Sequence, residues 1–267
     1  MRVRGTSAVP PDSNTTRHAG LPHCKHRLND TLKILVLILT FGPVADAAAQ
    51  HSAGNLSVEL DSRTLSVQAK AEELFQREQY RRAHVIYLND LAPIGDKYAQ
   101  YMLGFMSLSG LGVEQDHVLA SAWYRLAAER GEPREFVVIR DELLQQLDAA
   151  DKDRSDAIYL RLRGKYSDIA ISMREAREAF GDLSRVTTGS RISNSPSSAV
   201  TIVEPRAGSS VSGDAHIHRV QRRMQDHLDY VTSRLGLEPM EADTVTAAEL
   251  SDLEARVQEY VSTLDPR

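Results

Sequence analysis

From Val67 onward, apolar positions recur every three or four residues, the period of helices lying against a core. In VQAKAEELFQREQYRRAHVIYLNDLA, Ala71, Leu74 and Phe75 share one helical face. After a tight turn near Arg77–Gln79, Tyr80, Ala83, Tyr87 and Leu91 share another. GDKYAQYMLGFMSLSG places Ala99, Met102, Leu103 and Met106 together, and DHVLASAWYRLAAERG does the same with Leu119, Ala122, Trp123, Leu126 and Ala127. The pattern predicts four short helices in two hairpins. The hairpins resemble each other: Ala83, Tyr87 and Leu91 align with Ala120, Tyr124 and Ala128 at a constant offset of 37 residues. A period in the thirties marks stacked helical repeats, in which small residues let helices approach and large ones fill the hollows.

Between the second pair of helices lies Gly110-Leu111-Gly112. A phosphate loop of the Walker type needs G-x-x-x-x-G-K-[ST] after a strand, and a dinucleotide loop needs G-x-G-x-x-G between strand and helix. This segment follows a helix, lacks a third glycine and has no Lys-Ser/Thr. It reads as a loop between packing helices: Gly110 ends one helix, Gly112 supplies a backbone geometry costly for other residues, and Asp116 caps the next helix.

AQYMLGFMSLSGLGVEQDHVLASAWYRLAAERG (99–131) resembles a Sel1-like repeat, a relative of the tetratricopeptide repeat. The resemblance rests on Ala99, Leu103-Gly104, Gly110-x-Gly112-Val113, Asp116, Ala120, Trp123-Tyr124, Ala127-Ala128 and Gly131. Ser121-Ala122, before Trp123-Tyr124, departs modestly from the usual pattern. Residues 69–98 resemble a tetratricopeptide-spaced half-match. The resemblance implies an α/α solenoid that holds other proteins, with no catalytic residues to carry over.

Residues 132–180 continue as helices with stripes Phe136, Ile139, Leu143, Leu144, Leu147 and then Ile158, Leu162, Tyr166, Ile169. They lack Leu-Gly and Gly-x-Gly, so they read as a degenerate pair closing the solenoid, with Arg134, Arg140, Asp141, Lys152 and Arg154 facing solvent. Residues 182–213 turn rich in Ser, Gly and Thr, a composition that favours a flexible linker; the β-prone run Ala199–Val203 offers a strand as the alternative. Beyond it, Ile217, Val220, Met224, Val231 and Leu235 form a near-heptad stripe. Thr246-x-x-Glu249 signals a capping box opening a helix with Leu250, Leu253, Val257, Tyr260 and Leu264. The two read as a helical hairpin or short coiled-coil pair, docking elsewhere or self-associating through residues 216–264.

The first 49 residues of the 267 change the picture in another way. Lys25, Arg27 and Lys33 precede the apolar run Ile34–Leu39, and Ala45, Ala47, Ala48 and Ala49 follow it. That is the order of a secretory signal cut after Ala47 or Ala49; left uncut, it would be an inner-membrane anchor facing the periplasm. Cys24, the single cysteine, precedes the run, so the mature chain has no thiol chemistry and export points to a periplasm. Of 32 Lys/Arg and 37 Asp/Glu, residues 1–47 hold six and three, leaving 26 and 34, a net charge of −8. An acidic chain without a basic block is a poor partner for nucleic acid.

Candidate chemistry adds little. His216 and His218 are two apart, off a common helix face, and with His227 and His117 read as solvated polar residues rather than metal ligands. Glu72-Glu73, Asp141-Glu142 and Asp252-Glu254 fall on faces expected to be exposed, with nothing to separate their pKa values. GSSVSG misses the G-x-S-x-G nucleophile elbow. Tyr101, Phe105, Trp123 and Tyr124 are core at helical spacing sooner than a ligand groove, and Trp123 is expected to be largely buried.

The chain thus reads as all-α: an N-terminal extension and signal (1–49), a loose leader (50–65), a short solenoid of Sel1-like helical hairpins (66–181), a Ser/Gly-rich linker (182–213) and a C-terminal helical pair (214–267). The expected function is a non-enzymatic adaptor of the bacterial envelope, without metal or cofactor, holding an unidentified protein or peptide in a helical groove. Exposed positions on the repeat's first helix, Gln100, Tyr101 and Ser107, are the expected contacts. The alternatives are a self-assembly module working through the C-terminal helices and an envelope-polymer hydrolase with two convergent carboxylates.

Overall fold

Alanines and glycines at the crossing points set how closely the helices of this chain stack. A computed structural model describes residues 62–188, 201–204 and 209–264. Helix α1 (Ser62–Gln76) buries Ala71 and Leu74 and starts inside the segment expected to be a loose leader. It turns at Glu78, a non-glycine residue with φ +58°, held as Gln79 N donates to Leu74 O. Helix α2 (Tyr80–Ile86) runs on through a π-helical turn (Tyr87–Leu91) and a 3-10 turn (Ala92–Ile94), burying Ala83, Tyr87 and Leu91 as the stripe predicts.

Helix α3 (Lys97–Ser109) is capped by the Asp96 carboxylate, which accepts from Ala99 N. Helix α4 (His117–Ala127) is capped by Asp116, whose Oδ1 accepts from the backbone of Val118 and Leu119 at 2.9 Å each. Such a cap contributes about 1 kcal/mol. Helices α5 (Arg134–Gln146), α6 (Ala149–Tyr166) and α7 (Asp168–Thr188) follow.

The closing pair expected at 132–180 is therefore three helices, because the chain breaks to extended backbone at Ser167. The buried face of α6 also differs from the expected stripe. Ile158 and Leu162 are only half-buried, whereas Ser155, Tyr159 and Arg163, one helical row away, are buried. This polar row is tolerated because it has partners. Ser155 Oγ and Ser121 Oγ lie 2.6 Å apart, and Arg163, 2 % exposed, donates to Thr263 O and stacks against Tyr260.

The expected linker is likewise corrected. Helix α7 continues to Thr188, and strands β1 (Thr201–Glu204) and β2 (Ser209–Ser212) pair antiparallel, Thr201 opposite Ser212 and Glu204 opposite Ser209. Thr, Ile and Val at 201–203 suit a strand. The strand β2 leads straight into α8 (Gly213–Leu235), followed by α9 (Ala247–Ser262), which opens with the Thr246/Glu249 capping box.

The helices α8 and α9 do not form a separate hairpin. Helix α8 packs chiefly along α7, and α9 chiefly against α6 and α7. Val220, Met224, Leu228, Val231, Leu250, Leu253, Val257 and Val261 bury in one core with Ile169, Met173, Ala176 and Ala179. Of the stripe expected to drive self-association through residues 216–264, Val220, Met224, Val231, Leu250, Leu253 and Val257 are buried within the chain, Ile217, Leu235 and Tyr260 are half-buried, and Leu264 is exposed. Among the described residues no helix is long and apolar enough to cross a membrane. The signal at 34–49 lies outside the described residues. The fold is an all-α helical repeat fold, with one short β-ribbon.

Candidate protein-binding groove

The repeat is built on close backbone approach. A Cβ on Gly104 would sit 3.0 Å from the Tyr124 ring, so α3 and α4 cross where only glycine fits without displacement. Gly110 ends α3 at φ +70°. At Gly112 (φ +74°), a Cβ would lie 2.6 Å from the backbone of Tyr80 and Arg81. The Gly-x-Gly loop therefore presses against the start of α2. Its purpose is packing between repeats.

Ala99, Leu103, Ala120, Trp123, Tyr124, Ala127 and Ala128 are all buried. The aromatic residues form core: Tyr101 stacks on Phe136 with ring centroids 4.6 Å apart, and Trp123 meets Tyr166 at 5.2 Å. Burial pushes the Tyr101 phenol up to about 12.

The three expected contact residues are corrected by this packing. Gln100 is 0 % exposed, Ser107 1 % and Tyr101 5 %. Gln100 Nε2 donates to Tyr166 O at 2.9 Å, and Ser107 Oγ donates to Leu103 O at 2.8 Å. None offers a surface to a partner, because α3 is covered both by α4 and by residues of α5 and α6. Glu72, expected on an exposed face, is half-buried and accepts from the hydroxyls of Tyr98 (3.2 Å) and Tyr87 (3.4 Å).

Beside the repeat lies a buried charge network. Lys97 Nζ reaches Glu129 Oε2 at 2.8 Å and Asp168 Oδ1 at 3.1 Å. Arg130 grips Asp168 with Nε (2.8 Å) and Nη2 (2.9 Å), and Asp168 N donates to Glu129 Oε2. Burial alone would raise the Asp168 carboxyl; Lys97 and Arg130 outweigh it and hold it below the ordinary carboxylate range. The carboxylates of Glu73, held down by Lys70 and Arg77, and Glu249, held down by Thr246, are also lowered. A general acid working near neutrality needs the opposite shift.

Among the described residues no group of three or more His, Cys, Asp or Glu is placed to hold a metal. His218 is exposed, while His216 and His227 are half-buried. Burial, then Arg223, lowers the His227 pKa.

The concave surface next to the repeat is a groove of about 660 Å³ between α4, α5 and α6, with Arg234 of α8 at its edge. Its walls carry Arg125, Arg140, Lys152, Arg163 and Arg234 against only Glu129 and Asp141. Arg140 and Lys152, expected on an outer solvated face, are half-buried because they line it. Arg125 pairs with Asp156 at 2.6 Å and lies over the Tyr159 ring at 3.8 Å. The apolar periodicity hid this site; the usable signal was Lys152, Tyr159 and Arg163, whose spacing of seven and four puts them on one face of α6. A second, smaller concavity of about 450 Å³ is lined by Lys70, Leu74, Arg81, Arg82, Val85 and Ile86.

No curated protein and no solved structure matches the chain. The Sel1 repeat family model matches residues 97–132, the span from the first residue of α3 to just past the left-handed Gly131. The chain carries a Sel1 repeat, with α3 and α4 as its two helices.

Proposed function

We propose that this protein is a non-enzymatic adaptor or scaffold of the bacterial cell envelope, which holds a protein or peptide partner in the groove between α4, α5 and α6. Sel1 repeats are in general protein-interaction modules. The observation that carries the reading is the groove itself: it is concave, it adjoins the repeat, and the repeat's own α4 forms one wall. The envelope assignment rests on the charge, apolar-run and small-residue order at 25–49.

The test uses the full tagged chain in its native host, with a photo-crosslinking residue at Gln145 in the groove or at Arg82 in the other concavity. A discrete adduct from Gln145 but not Arg82, found in the envelope fraction and protease-accessible only once the outer membrane is opened, is the expected result. Identical adducts from both positions, or recovery of the chain crosslinked only to itself, would overturn the reading.

A further inference from the structure

We infer that the residues just before α1, Leu56 to Asp61, fold back onto the concavity between α1 and α2 and cap the first end of the helical stack. The inference is independent of the groove reading above. A stacked repeat buries its faces only against neighbours, so a terminal pair needs either a polar outer face or a cover. The pair α1–α2 is the first among the described residues, and the centre of its concavity is apolar. Leu74, Val85 and Ile86 line this space of about 450 Å³. Val85, 52 % exposed, is the most exposed large apolar side chain among the described residues.

The sequence preceding the pair matches this surface. Residues 50–61, outside the described residues, read QHSAGNLSVELD and lead directly into Ser62, the first residue of α1. Leu56, Val58 and Leu60 alternate with polar positions, so an extended chain would turn all three to one side. Glu59 and Asp61 are the carboxylates of this stretch, which holds no Lys or Arg. The rim of the concavity has the opposite sign. Lys70 shares the Glu73 carboxylate with Arg77, at 2.9 Å each, and Arg82 donates to the neutral Gln79. No hydrogen bond or ion pair engages the Arg81 guanidinium among the described residues.

The reach fits as well. Lys70 and Leu74 lie ~12 and ~18 Å from Ser62 along α1. Extended chain spans those distances in about four and about six residues, which brings Val58 level with Lys70 and Leu56 level with Leu74. A second copy of the chain is the poorer occupant, because a two-fold pairing of this face would set Lys70, Arg81 and Arg82 against themselves.

The test is disulfide trapping in the full chain, whose single cysteine is removed as Cys24→Ser. Leu56→Cys, Val58→Cys or Leu60→Cys is paired with Val85→Cys or, as a control, with Val138→Cys on α5, a side chain 41 % exposed. Bridging requires Cα atoms within about 7 Å. Bond formation in a glutathione couple is followed on non-reducing gels, and mass spectrometry separates bonds within a chain from bonds between chains. Melting by circular dichroism verifies the fold. The same bond is then measured with Arg81→Glu and Arg82→Glu added; should that pair unfold the chain, Arg81→Gln with Arg82→Gln replaces it.

At least one of the three substitutions is expected to bridge to Val85→Cys within a chain about tenfold or more faster than to Val138→Cys, since a docked segment has its highest effective concentration at its own site. Charge reversal should slow that bond at least about threefold at low salt, and adding Glu59→Lys with Asp61→Lys should restore it. Equal rates to the two sites overturn the inference, as does a bond indifferent to charge reversal. A Val85→Cys bond formed only between chains would make a second copy the occupant and overturn it too. So would a partner adduct at Arg82 in the crosslinking experiment above, which would show the concavity open to another protein. None of these disulfide outcomes touches the Gln145 adduct, so the adaptor reading stands or falls separately.

Discussion

Replacing Gly112 with alanine separates the cost of backbone conformation from the cost of close approach, because Gly131 provides a matched control. The two glycines sit at nearly the same angle, φ +74° and +76°. Around Gly131 nothing lies within 4 Å of a built Cβ; at Gly112 the Cβ would come within 2.6 Å of Tyr80 C and Arg81 N, and 2.9 Å of Tyr80 Cβ. An alanine in the left-handed region costs ~1–2 kcal/mol, and loss of unfolded-state freedom returns roughly 0.4–1 of it. Gly131→Ala should therefore destabilise by about 1 kcal/mol or less. At Gly112 the loop must also retreat from α2 by about 1 Å to reach ordinary contact, an overpacking cost of ~1–3 kcal/mol. The total is about 1–4 kcal/mol. Urea unfolding followed by circular dichroism measures both, and the melting shift should be roughly 2–4 °C per kcal/mol. If the two substitutions cost the same within about 0.5 kcal/mol, the Gly-x-Gly loop is not a packing device and the account of the repeat is wrong.

Trp123→Ala removes a side chain only 3 % exposed that packs on Tyr166, and should cost about 3–5 kcal/mol in the same unfolding assay. Asp168→Asn strips Lys97 and Arg130 of their shared carboxylate and should cost about 3–5 kcal/mol at neutral pH. Because the folded pKa of Asp168 lies below its ordinary value of 3.8, the contribution is present above that pH and is lost as pH falls through the folded value; the gap between wild type and Asp168→Asn should narrow below about pH 4. Met224→Asp places a charge where exposure is 0 %, and should lower the melting temperature of the whole chain in one transition; a separate early transition confined to α8 and α9 would contradict the shared core.

The readability of this sequence followed the chemistry of what is buried. Ala83, Tyr87 and Leu91, or Leu250, Leu253 and Val257, announce their face because apolar residues at helical spacing have one explanation. Asp116 and Thr246 announce helix starts because a short polar side chain meets an unpaired amide there. Gln100 and Ser107 misled for the converse reason: they are polar yet buried, and what satisfies Gln100 is a carbonyl 66 residues away. The polar row of α6 was hidden likewise, since Arg163 is placed by Thr263 at a separation of 100 residues. The stripes of α8 and α9 showed that they needed a partner, but an apolar stripe carries no address; α7 could not be distinguished from a second copy of the chain. The groove was missed because its residues lie on four helices and become neighbours only once those helices are stacked.

A solenoid repeat buries its faces only against neighbours, so the last one must be closed by something. Here part of that closure is ionic. Lys97, Glu129 and Arg130 of the Sel1 repeat meet Asp168, the first residue of α7, in a neutral set of two cations and two anions. Such buried pairs add little net stability over an apolar contact, but each lost member leaves a stranded charge. They therefore fix direction more than they hold: both Asp168 oxygens and its backbone amide are engaged, which sets where α7 departs from the repeat. From α7 hangs the rest of the core, since both α8 and α9 pack against it. Most of the apolar stripe of α8 and α9 is consumed in this internal packing. The groove between α4, α5 and α6 is a concave surface that this arrangement leaves open beside the repeat.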